Sequence, residues 1–157
     1  MLLQFFEWLQ ALPPSAAVQQ SAWMQAAINV GHVISLMVFA GAILIVDLRM
    51  LGVGLREQPL KVVARDARPW LMGGLWALVL TGLPQFGALA VRNYFNWFFW
   101  FKMAVLLAAL IYTLTVRSRV SLAEEPIGPA GLKAVAFVSL ALWLTVTVAG
   151  RMIGLSG

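Results

Sequence analysis

His32 is the one histidine of this chain, and it sits near the middle of a long apolar stretch. Gln25, Asn29, His32 and Ser35 recur every three or four positions, so on a helix they share one face. Polar groups at membrane depth are costly, usually face a bundle interior and often mark function. A neutral imidazole is a ligand for haem iron, copper or zinc. Gln85, Lys102 and Arg151 are further polar side chains set in apolar runs. Ser139, Trp143, Thr147 and Arg151 form a four-residue ladder, and Thr81 with Gln85 forms a matching pair.

The elements that position these residues must cross a membrane. Of 157 residues, 62% are hydrophobic and only 11% charged, with a mean hydropathy of +0.88. Soluble domains carry about 25% charged residues, so a watered surface cannot be covered here. The absence of cysteine excludes disulfides, thiolate metal sites and Cys nucleophiles. The net charge of +5 is spread over connecting segments, which reads as topology rather than a nucleic-acid patch. One histidine per chain supplies a two-histidine haem or a His-rich zinc site only by oligomerisation.

Four spans are expected, at about 22–46, 69–90, 94–116 and 132–155, within a single integral membrane domain covering 1–157. At 1.5 Å per residue each crosses a hydrocarbon core of about 30 Å. The expected fold is all-α, a four-transmembrane-helix bundle. Pro13-Pro14, Gly52, Gly54, Pro59, and Pro126 with Gly128-Pro129 punctuate the connections. Residues 1–12 carry no Lys or Arg and no small-residue cleavage site follows them, so they read as a short interfacial helix rather than a signal peptide. Small residues at four-residue spacing (Ala27, Gly31 and Ser35; Gly73, Ala77 and Thr81) permit close helix packing. Pro84 is expected to kink the second span.

Lys and Arg counts orient the chain. Arg49, Arg56, Lys61, Arg65 and Arg68 lie between spans one and two, and Arg117, Arg119 and Lys133 between spans three and four. The other side has only Arg92 in its loop and Arg151 near the C-terminus. The positive-inside rule then puts the first and third loops in the cytoplasm and both termini outside, which for a bacterial inner membrane is the periplasm. His32 falls roughly 15 Å and Lys102 about 12 Å below the outer ends of their spans. Gln85 and Arg151 share that half. The cytoplasmic half is expected to hold no comparable buried cation.

An outward cavity lined by His32, Asn29, Gln85, Lys102, Arg151 and Trp143 would suit haem b. Haem needs an axial ligand at depth, apolar walls, and cations for its propionates. His32 is the expected metal ligand, Lys102 and Arg151 the propionate partners, and Trp143 a wall. The protein would then serve electron transfer, with a membrane redox partner and with homo-oligomerisation inviting haem at a subunit boundary. Two other readings stand beside it: a channel or carrier for an ion, proton or metal using His32, Lys102 and Arg151, and a non-catalytic subunit whose polar residues only pack helices. Met24, Met37, Met72, Met103 and Met152 are scattered, none of them four residues from His32, and build no copper set. No catalytic motif is present, and Asp47 with Arg49 reads as a surface ion pair at the cytoplasmic exit.

Gly31-His32 through Asp47-Leu48-Arg49-Met50-Leu51-Gly52, together with Phe101-Lys102-Met103, resembles a broad group of uncharacterised bacterial four-helix membrane proteins. That group is loosely similar to the copper-resistance D type membrane proteins. The resemblance implies a four-helix bundle with an intramembrane histidine in its first span.

Overall fold

The computed structural model describes residues 1–123 and 127–155, and these are helical apart from short connections. Pro126, expected to help break the third connection, lies outside the described residues. In chain order the elements are α1 (Leu2–Ala11), α2 (Pro13–Gln20), α3 (Ala22–Leu51), α4 (Leu60–Ala88), α5 (Ala90–Tyr94) and α6 (Trp97–Tyr112). A π-helical turn (Thr113–Arg117) joins α6 to α7 (Ser118–Leu122), and α8 (Pro129–Leu155) completes the chain. Four rods (α3, α4, α6 through α7, and α8) are long and apolar enough to cross a membrane. The all-α bundle is as the sequence implied.

Helix ends follow local chemistry. Ser21 caps α3, its Oγ accepting from the Met24 N–H at 3.3 Å. At the other end Gly52 takes the left-handed conformation (φ +76°), and its N–H and that of Val53 return to the carbonyls of Arg49 and Leu48. That paired closure is the Schellman pattern, which favours glycine at this position. Asn96 opens α6 by accepting from the Phe98 N–H at 2.9 Å. α4 begins at Leu60, earlier than expected, so the charged stretch before Pro69 forms its first turns.

α3 and α4 run antiparallel in a register that can be read from three contacts. The Ile28 carbonyl meets Gln85, His32 meets Thr81, and Phe39 meets Gly74. Four residues forward on α3 match four back on α4, and seven further match seven. A seven-residue step is close to two whole turns, so one seam faces the partner throughout. Closest approach is at Gly74, where an added Cβ would lie 2.9 Å from the Phe39 nitrogen and 3.0 Å from its Cα. The small residue in the seam is therefore Gly74, and Gly73 points into open space. Stepping back eight residues from Thr81 leaves the seam, whereas stepping back seven keeps it.

α8 packs along α6 and also against α3, and α7 closes onto α4. Phe6 of α1 and Phe99 of α6 are buried in an aromatic cluster with Phe86 and Tyr94. The two ends of α3 differ. Gln25 and Ile43, and likewise Asn29 and Asp47, are eighteen residues apart, five full turns, and so share a face. Ile43 is 2% and Asp47 0% exposed, while Gln25 and Asn29 are exposed. Along this face the bundle is sealed at the Asp47 end and open at the His32 end.

The seam gives a paired test. Gly74→Ala forces backbone apart and is expected to lower stability by about 1–3 kcal/mol. Gly73→Ala is expected to be neutral or stabilising, as alanine favours helix over glycine. Unfolding of the two variants in mixed micelles checks both signs; equal behaviour would contradict the register.

Candidate functional site

The His32 ring is half-buried between α3 and α4, with Nδ1 2.9 Å from Thr81 Oγ1. Thr81 Oγ1 is also 2.7 Å from the Ala77 carbonyl oxygen, which can only accept. A hydroxyl has one hydrogen. Thr81 gives it to Ala77, so its oxygen accepts from His32 and Nδ1 is the protonated nitrogen. In the neutral ring Nε2 then carries the lone pair. Glycine makes room here: a Cβ on Gly82 would come within 3.3 Å of His32 Cε1.

Lys102 approaches from α6. Its chain lies across Gly150 of α8, where an added Cβ would meet Cε at 3.5 Å and Nζ at 3.6 Å. The ammonium is within electrostatic reach of the His32 ring. It makes no hydrogen bond or ion pair among the described residues. Two basic groups thus lie within electrostatic reach of each other with no carboxylate paired to either among the described residues, and an anionic group is their natural counterpart.

The other expected site residues are placed differently. Gln85 is one turn from Thr81 and donates to the Ile28 carbonyl at 3.4 Å, tying α4 to α3. Ser35 turns onto its own helix, donating to the Gly31 carbonyl at 2.7 Å. Asn29 is exposed on the open flank. Trp143 lies near Phe39, seven residues and about 10 Å along α3 from His32. Its ring meets Phe39 edge-on at 4.7 Å and its Nε1 donates to Thr113 Oγ1 at 3.0 Å. Arg151 is exposed. The ladder from Ser139 to Arg151 winds off the interface because each four-residue step overshoots a turn by about 40°. Ser139 is buried, Trp143 half-buried, and Thr147 and Arg151 exposed. Gly150 takes the inward place instead.

A second buried polar cluster was not expected. Asp47 pairs with Arg117 of the π-turn, Arg117 Nε donating to Oδ1 at 2.7 Å, with the side chains 0% and 4% exposed. Arg117 Nη2 also donates to the Ile43 carbonyl at 2.8 Å. Asp47 is therefore no surface partner of Arg49, which bonds instead to the Gln58 carbonyl at 2.7 Å. The Asp47 end does hold a buried cation, contrary to expectation. Among the described residues, Asp47 Oδ2 and the Ser139 hydroxyl are buried without a hydrogen-bond partner, although Ser139 faces the carboxylate. An acid inside an apolar span was the available signal. The π-turn that swings Arg117 inward left none.

No cluster of three or more His, Cys, Asp or Glu is gathered for a metal ion among the described residues. A groove of 610 Å³ runs between α3 and α4 beside Gly41, Ile45, Val62 and Trp70, toward the Asp47 end and away from His32.

Breaking the buried pair should be far worse than replacing it. Asp47→Asn strands the Arg117 charge and is expected to cost about 3–5 kcal/mol, whereas Asp47→Leu combined with Arg117→Met regains most of that loss. Unfolding of the two variants in mixed micelles reads the difference. A mild effect of Asp47→Asn would mean that the pair is hydrated.

No curated protein and no solved structure matches the chain. A family model matches residues 5–156, with no link to the copper-resistance D type proteins. The chain belongs to DUF6644, a family of unknown function.

Proposed function

We propose that this protein is a membrane-embedded haem b-binding subunit serving electron transfer, with His32 Nε2 as axial ligand. The observation that carries the reading is the fixed ring: Thr81 holds Nδ1–H and leaves Nε2 as the ligating nitrogen. Histidines that bind metals commonly donate their other ring N–H to such a fixed acceptor.

The residues fit the group in part, and the fit divides them. His32 would supply the ligand chemistry, and Lys102, without an acid partner among the described residues, suits a propionate. Trp143 and Gln85 are committed to Thr113 and Ile28 and do not serve as walls or partners. Haem, when bound, supplies a one-electron iron couple. The chain's own part is to orient the imidazole, neutralise carboxylate charge with Lys102, and set the site between apolar helices. The Lys and Arg excess beside Arg49–Arg68 and Arg117–Lys133 favours an inner-membrane orientation with both termini, and the His32 end, facing the periplasm.

Lys102, without an ion pair among the described residues, also favours a second reading, an anion site within a small carrier or channel. Optical spectra separate the two. Protein purified from haem-replete cells is expected to show a Soret band that His32→Ala removes. Thr81→Val is expected to retain the band while weakening haem affinity by about 10–100-fold, the usual effect of losing such an orienting partner. Folded protein that stays colourless after incubation with haemin overturns the haem reading. Anion flux in liposomes that depends on Lys102 would then support the carrier.

A further inference from the structure

We infer that a second copy of this chain docks on the open face of α3 at the His32 end, held by the side-chain amides of Asn29 and Gln25. The inference does not depend on haem. Both residues are exposed, and neither side chain has a hydrogen-bond partner among the described residues. They are four residues apart and therefore one above the other on the helix. Asn29 is six residues, about 9 Å, below Trp23, whose exposed ring suits the headgroup level. At the depth of Asn29 lipid tails offer neither donor nor acceptor, so its amide facing them loses the hydrogen bonds water would give it, while Gln25, two residues from Trp23, stands nearer the headgroups.

The chemistry of the patch selects its occupant. Each amide carries both a donor and an acceptor, so the patch is complementary to itself. A two-fold axis brings the same patch of two chains face to face, and each amide can then answer its counterpart. The flanks agree, since Ala22 and Ala26 are exposed beside the amides and small residues let helix backbones approach in lipid. Five turns further along the same face, Asp47 is sealed within its own bundle by Arg117. The face is thus closed by the chain itself at one end and left with unanswered amides at the other.

The chain has no cysteine, so one introduced thiol reports on one position. Val33 lies one turn from Asn29 and is 47% exposed, and the α3–α4 register places Leu80, 69% exposed, at the same depth on α4. Val33→Cys in native membranes is expected to oxidise to a species of twice the chain mass, and Leu80→Cys to remain monomeric. Adding Asn29→Leu to Val33→Cys is expected to reduce that species roughly fivefold, the scale of one interhelical amide contact in lipid. Equal cross-linking at the two positions, a product of another mass, or an undiminished dimer with Asn29→Leu would overturn the inference. All three are read without haem, so a colourless protein leaves the result intact.

Discussion

Hydrocarbon cannot hydrogen-bond, and the arrangement of this bundle follows from that constraint. Every polar side chain carried into the spans must be answered by protein. Asp47 is the plainest case, as an isolated buried carboxylate would be prohibitive. Its answer comes from Arg117, seventy residues away in sequence, whose second nitrogen binds the Ile43 carbonyl. The pair fastens the third rod to α3, and Ser139 brings α8 against the same point. Trp143, bonded to Thr113 and packed on Phe39, fastens them again one layer toward His32. These contacts close the bundle at one end and leave its other end to different chemistry.

At that other end polar groups are answered only in part. Thr81 takes one nitrogen of His32 and leaves the second. Lys102 has space made for it by Gly150 but no acid partner among the described residues. Asn29 and Gln25 have no side-chain hydrogen-bond partner among the described residues. Asp47 Oδ2 and Ser139 are also unmet among the described residues, but they are sealed inside the bundle. The unmet groups at the His32 end lie where the bundle is open, which supports a contact there with something outside the chain. The proposed anionic cofactor at His32 and Lys102 and the proposed second chain at Asn29 would answer separate members of the set.

Much of this was legible from sequence and some was not. Bilayer-length apolar runs announced the four rods, because composition and length alone decide that question. The nearness of His32 to Lys102 followed from depth, since both are about one-third of the way along their helices. Rotation about the helix axis is harder to read. Arg151 shares the depth of His32 but has turned away over three four-residue steps, and Gly73 was mistaken for its neighbour Gly74 for the same reason. Asp47 with Arg117 was hidden by the π-turn, a local change of winding that no periodicity records. The place of Trp143 on the ladder from Ser139 to Arg151 suggests a cavity wall, and only tertiary structure reveals Thr113 as the partner of its indole.

Metal ligation by His32 depends on which ring nitrogen carries the proton. With one histidine per chain, ring ¹⁵N labelling gives a single imidazole and needs no assignment. Solid-state NMR of haem-free protein in lipid, at a pH where the ring is neutral, is predicted to show Nδ1 protonated and Nε2 bare, with a through-hydrogen contact to Thr81. A ring protonated at Nε2 would contradict the account, as the ligating nitrogen would then be the one turned toward Thr81.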